Sequence, residues 1–218
     1  MERGERENWK EWQRGSTFYT AASESGQDLA TYEKELGFDR KELQGLTVLD
    51  LGSGATEKFS RELKQAGVEA DVISLNPDLQ KKSVRDMVQE KADWQEKSIA
   101  ATAQELPFMD QSFDRIFGLN SVTLYANPRQ GFERTERWLS EVVRVLKPGG
   151  EAIVGPIMFI VQEGSDKVPE EYSKLVDELR GRGVSVEFQA IVLNEKERYN
   201  ARMIIRKPKD VEADKHFE

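Results

Sequence analysis

The chain has no cysteine, which excludes disulfides and thiolate metal sites. Its single histidine, His216, lies in a polar C-terminal stretch. That removes the commonest general base and the commonest metal ligand from any buried site. No apolar run approaches the roughly 20 residues that a membrane-spanning helix needs. Met1-Glu2-Arg3-Gly4-Glu5 lacks the apolar core of a secretion signal, so a cytoplasmic protein is the expectation. Positive charge is also short: 32 Lys and Arg against 40 Asp and Glu leave a net charge of −8. A partner nucleic acid held by a general basic surface is therefore not expected. What the chain does have is 218 residues, 38% hydrophobic and 33% charged, enough for one domain with a sheet core covered on both faces.

Residues 1–45 read as an N-terminal helical preface, with aromatics at Trp9, Trp12, Phe18 and Tyr19. A helix is expected near 5–14, a break at Gly15-Ser16, and a second helix over Asp28–Leu36 that Gly37 stops. The preface fits either a lid that closes over a site or a flank packed on the sheet. Residues 46–207 read as the main domain, and 208–218 as a polar tail.

Within the domain, Thr47–Leu51 is a short, nearly all-apolar run of the kind buried in parallel sheets. A glycine turn follows, then a helix over Glu57–Ala66 with Phe59 and Leu63 four residues apart and Gly67 as a stop. The alternation repeats with strands at Ala70–Leu75, Ser98–Ala101, Arg115–Leu119 and Glu151–Pro156. Helical stretches at Asp78–Gln95 and Trp138–Leu146 separate them. Strands alternating with helices imply right-handed crossovers and a doubly wound parallel sheet. A helix over Glu171–Arg180 then leads into two strand-like runs, Val184–Leu193 and Tyr199–Arg206, whose short connection predicts an antiparallel hairpin.

Three segments belong together: Val48-Leu49-Asp50-Leu51-Gly52-Ser53-Gly54, then Leu106-Pro107-Phe108 with Ser112-Phe113-Asp114, and Leu146-Lys147-Pro148-Gly149-Gly150. In this order they resemble the class I S-adenosylmethionine-dependent methyltransferases, especially the small-molecule type 11 group. The resemblance covers about residues 45–207. It implies an α/β Rossmann-like fold: a doubly wound, mostly parallel, seven-stranded sheet with an antiparallel terminal strand and helices on both faces. It also implies S-adenosylmethionine as cofactor and a small-molecule acceptor. Asp50, Gly52, Ser53 and Gly54 would then hold the amino-acid and ribose portions of the cofactor. Asn76 and Pro77 would take the ribose, and Thr102, Ala103 and Gln104 the adenine. Asn120 and Ser121, just past the fourth strand, would face cofactor and acceptor.

Two positions depart from that pattern. Asn76 stands where relatives carry an acid for the ribose hydroxyls, and an amide gives up the charge-assisted bond, a loss of roughly tenfold in affinity. Thr102 stands where many relatives carry an aspartate for the adenine amino group. The segment Leu119-Asn120-Ser121-Val122-Thr123 also lacks the Asn-Pro-Pro-Tyr type motif of amino-methyltransferases, which disfavours that chemistry. Tyr19 and Tyr125 could line an acceptor pocket or simply pack at the rim; no catalytic residue is assigned. The rivals are a non-catalytic scaffold or regulatory module of the same fold, a dehydrogenase-like nucleotide binder and an RNA methyltransferase. Glu57 occupies the third-glycine position of a dinucleotide fingerprint, where an acid opposes pyrophosphate, so NAD is disfavoured.

Overall fold

The computed structural model describes residues 26–82, 85–86, 97–125, 131–157, 170–192 and 199–209. Trp9, Trp12, Phe18, Tyr19, the helix expected near 5–14 and most of the Asp78–Gln95 stretch lie outside the described residues. So do the side chain of Tyr125 and nearly all of the 208–218 tail.

In the described residues seven strands form one sheet, ordered β3-β2-β1-β4-β5-β7-β6. They are β1 (Thr47–Leu51), β2 (Asp71–Leu75), β3 (Ser98–Ile99), β4 (Phe113–Leu119), β5 (Leu146–Ile157), β6 (Ser185–Val192) and β7 (Tyr199–Arg206). β1 pairs in parallel with β2 on one side and β4 on the other. β3 and β5 extend the parallel array. β7 runs antiparallel to both β5 and β6. The chain thus steps outward from β1 to β3, returns to the other side of β1 at β4, and ends in a hairpin with the reversed strand inserted beside β5.

Alternate side chains of the strands feed two cores. One contains Leu49, Leu51, Ile116 and Val154, covered by Trp138, Leu139 and Val142 of α4 (Phe132–Val145) and by Leu175 and Leu179 of α5 (Glu170–Gly181). The other contains Val48, Val72, Phe117 and Ile204. It is covered by Leu29 and Tyr32 of α1 (Leu29–Tyr32) and by Phe59 and Leu63 of α2 (Lys58–Gln65). A short helical turn, α3 (Val122–Tyr125), follows β4.

The helix ends follow local chemistry. After α2, the N–H of Gly67 bonds Lys64 O and that of Val68 bonds Leu63 O, with Gly67 at φ 73°. This double closure is the Schellman arrangement, and Val68 packs on the core that holds Leu63. After α5, Gly183 and Val184 repeat it on Arg180 and Leu179. α4 stops at Val145, one residue short of the expected Leu146, which is already extended at φ −67°, ψ 134°. Pro148 disfavours the helical region for Lys147, and Leu146 instead pairs with Phe113 as the start of β5. The expected Asp28–Leu36 helix is α1 plus a π turn at Glu33–Gly37. Asp28 caps it by accepting from the Thr31 N–H at 2.8 Å.

Candidate functional site

In open α/β sheets ligands bind beyond the carboxyl ends of the strands where the winding reverses. Here that point lies between β1 and β4. The loop after β1 turns on Gly52 at φ 84° and Gly54 at φ 70°, conformations glycine adopts without strain. The backbone N–H groups of Gly52 and Ser53 both donate to Leu75 O, at 2.8 and 3.2 Å, tying the loop to the end of β2. The Asn76 N–H then donates to Ile99 O on β3 at 3.0 Å. On the other side, Ser121 presses against Gly52: a methyl carbon added to Gly52 would lie 2.4 Å from Ser121 Cβ. Asp50, Gly52, Ser53, Asn76 and Ser121 are thereby brought to one end of adjacent strands.

The remaining expected residues sit around this group. Asn76 is buried and its Oδ1 accepts from the Asp78 N–H at 2.9 Å, capping a 3-10 turn that Pro77 opens. No hydrogen bond of its amide NH2 appears among the described residues, so that half can donate to a ligand. Thr102, Ala103 and Gln104 form a turn closed on itself by the Glu105 N–H to Thr102 O bond. Ala103 of that turn packs in the apolar cluster that holds Leu51 and Leu75. Asn120 is left-handed at φ 52°, with its N–H on Gly155 O at 2.8 Å.

Asp50 is fully buried near the end of β1. The Tyr32 hydroxyl donates to its Oδ1 at 2.7 Å. Burial pushes the Asp50 carboxyl up to about 7; the Tyr32 bond opposes that rise and the charge of Glu57 adds to it. Glu57 is itself 4% exposed, left-handed at φ 45°, and accepts from the Ser98 hydroxyl. Burial raises its carboxyl as well, with the Ser98 bond opposing. Neither acid is bonded to a cationic side chain among the described residues.

Three further atoms decide what this place can take. Asp50 Oδ2, Ser121 Oγ and Thr123 Oγ1 are buried without a hydrogen-bond partner among the described residues. Leaving a buried polar atom unpaired costs about 1–3 kcal/mol, so each of these atoms, at the end of β1 or just past β4, is available to a polar ligand. An anionic acceptor and two hydroxyls, beside glycines that admit close approach, fit a cationic amino-acid end and leave hydroxyls for a carboxylate or ribose. The donor set therefore fits S-adenosylmethionine.

Tyr32, Glu57 and Thr123 were not among the expected ligand-holding residues. Leu29, Tyr32 and Leu36 follow a helical apolar spacing and read as core. Thr123 carried no motif, although its place two residues past Ser121 was a usable cue.

A methyltransferase-domain family model matches residues 49–154. The chain is similar to the ubiquinone/menaquinone biosynthesis C-methyltransferase UbiE of Nitrobacter hamburgensis, 29% identical over 143 residues, 63% of this chain and 53% of the relative. It is 33% identical to the Citrobacter koseri protein of that name over 138 residues, 60% of this chain and 50% of the relative. The alignments thus span about half the length of these relatives. Among solved structures, an S-adenosylmethionine-dependent methyltransferase from Methanosarcina mazei matches with TM-score 0.54 at 17% identity, covering 85% of this chain and all of that one. The 1,6-didemethyltoxoflavin-N1-methyltransferase of Burkholderia thailandensis, solved with its substrate and S-adenosylhomocysteine, matches with TM-score 0.51 at 16% identity, covering 94% and 87%.

Proposed function

Residues 49–154 of this chain belong to the class I S-adenosylmethionine-dependent methyltransferase family, and on that premise we propose that the protein methylates a small-molecule acceptor. The observation that carries this reading is the buried carboxylate oxygen Asp50 Oδ2, unpartnered among the described residues, at the end of β1 beside the glycine turn that Ser121 presses from the β4 side. When bound, the cofactor supplies an electrophilic methyl on a sulfonium, with a neutral thioether as leaving group. Asp50, ionised, answers positive charge on the amino-acid end. Gly52 and Gly54 let that end approach the backbone, and Asn76 donates to a ribose oxygen. Ser121 and Thr123 offer hydroxyls on the β4 side. In-line displacement of this kind is accelerated by alignment and by exclusion of water, so no fixed general base is required of the site.

The acceptor belongs to the same proposal. The similar UbiE proteins are named as C-methyltransferases, which makes a carbon nucleophile the first class to screen. An acceptor that ionises by itself needs no base.

Calorimetric titration and thermal unfolding with S-adenosylmethionine, S-adenosylhomocysteine and NAD test the reading. At about 100 times the dissociation constant a ligand adds about 2.7 kcal/mol, or roughly 5–10 °C for a chain this size. Saturable shifts with the two sulfur compounds and none with NAD are expected. A cooperatively melting protein that shifts with neither would overturn cofactor use and favour the non-catalytic scaffold.

A further inference from the structure

Among the described residues before β1, Tyr32 is the side chain that bonds Asp50. Gly26 lies against the glycine loop: a methyl carbon there would come 2.4 Å from Thr56 Oγ1. The Leu29 N–H donates to Glu62 Oε2 of α2 at 2.8 Å. From α1, Tyr32 is buried, and its ring stacks on Phe59 of α2 with centroids 4.4 Å apart and planes 16° from parallel. The stack fixes the ring, and the ring fixes where the hydroxyl points: onto Asp50 Oδ1, at 2.7 Å. Asp50 Oδ2 is left as the carboxylate's unpartnered atom.

We propose that Tyr32 is a positioning residue for cofactor binding, its hydroxyl holding Asp50 by Oδ1 as an oriented carboxylate that presents Oδ2 to the cationic amino-acid end of S-adenosylmethionine. This rests on the proposed function. The physical need is plain: a carboxylate buried this fully, with no cation bonded to it among the described residues, takes up a proton unless something stabilises its charge. Among the described residues, the titratable groups that act on Asp50 are Tyr32 from α1 and Glu57 from the β1–α2 loop, and Glu57 works against ionisation. Tyr32 is the group that works for it. Burial beside Asp50 keeps the phenol protonated far above its usual range, so it remains a donor at every working pH. A protonated Asp50 cannot accept from an ammonium group, so cofactor affinity should depend on how well this one bond holds.

The test is calorimetric titration of the intact chain with S-adenosylhomocysteine, which carries the same amino-acid end, at pH 6 to 9. Wild type, Tyr32→Phe and Asp50→Asn are compared. Tyr32→Phe keeps the stacked ring and removes only the hydroxyl. The expected result is binding weakened about tenfold at pH 7, the equivalent of about one pKa unit, and recovered toward wild type by pH 9. Asp50→Asn should bind weakly with no such recovery. A Tyr32→Phe profile equal to wild type at every pH, or weakened equally at every pH, would overturn the positioning role. If wild type itself binds neither sulfur compound, the functional reading fails instead. The Tyr32–Asp50 coupling is then read without ligand, from the pH at which the stability gap between Asp50→Asn and its parent stops widening, which follows the folded carboxyl. Tyr32→Phe should move that pH upward, and an unmoved value overturns the coupling.

Discussion

Replacing Gly52 by alanine tests whether the β1 loop is built by close approach to β4. Two costs are expected. Holding a residue with a Cβ at φ 84° costs about 1–2 kcal/mol, because left-handed backbone crowds the side chain against the following carbonyl. The added methyl would also sit 2.4 Å from Ser121 Cβ and 3.3 Å from Ser121 Oγ, a contact that something must move to relieve. Overpacking of that kind costs about 1–3 kcal/mol. The sum is about 3 kcal/mol, or roughly 6–12 °C in melting temperature for a chain of this size. A double-mutant cycle with Ser121→Gly separates the two costs. Ser121 Oγ has no partner among the described residues, so its removal sacrifices no hydrogen bond. In the Ser121→Gly background the steric share should vanish, giving a coupling of about 1–3 kcal/mol, while the backbone share stays. Urea unfolding of the four proteins measures all of these quantities. A Gly52→Ala protein as stable as wild type, or strictly additive effects, would refute the close approach.

Thr123→Val should leave stability unchanged or raise it by about 1 kcal/mol, since the hydroxyl it deletes is buried and unpaired. S-adenosylhomocysteine affinity should fall, and calorimetry beside a melting curve checks both. Arg144 donates to the carboxylates of Glu141 and Asp110 and to the carbonyls of Phe108 and Leu106. Arg144→Ala should therefore release the Leu106–Asp110 loop, with faster amide exchange over 106–112 and a loss of about 1–3 kcal/mol. Lysine should not restore it, because it cannot reproduce the forked geometry. Asp50→Asn gives a pH signature. The folded carboxyl titrates at about 7 against 3.8 as a free group, so the folded state keeps its proton longer. Stability conferred by that proton is full below the lower value and is lost as pH rises to the upper one, by about 4 kcal/mol in all. Asn imitates the protonated form, so the variant should gain on wild type as pH rises from about 4 to 7 and hold that lead above it. Unfolding free energies across pH 4–9 measure the gap, and one that widens toward acid would refute the buried-carboxylate reading.

The sheet was legible because each strand advertised itself by local apolar runs bounded by glycine or charge, as at Thr47–Leu51 and Arg115–Leu119. The reversed β7 followed from the short link between two strand-like runs. Strand ends were less legible: β5 begins at Leu146, five residues before the expected Glu151, because Lys147-Pro148 forces extended backbone on a segment that looks like a turn. The glycine side of the site could be read in order along Asp50–Gly54. Its other constituents could not, because they come from elsewhere in the chain and look ordinary there. Tyr32 occupies a helical apolar stripe, and only the fold sets its hydroxyl against a carboxylate 18 residues later. Thr123 becomes visible only as a buried hydroxyl with no partner among the described residues.

The charge pattern of the interior ties these residues into one design. Two acids, Asp50 and Glu57, are buried on the α1–α2 side of the sheet, and neither has a cationic partner among the described residues. In a protein selected only for stability such a pair is a liability, since each carboxylate pays for its own desolvation and repels the other. Protonation eases the mutual repulsion, and so does a positive charge brought to the pair. A cationic ligand at the switch point would supply it, turning an expense of the free protein into affinity for the bound one. Binding should then draw Asp50 toward its ionised form and release protons to solvent near neutral pH, and a neutral nucleotide would earn no such gain. The same reasoning explains why the Tyr32 hydroxyl sits where it does: it offsets part of the cost before the ligand arrives.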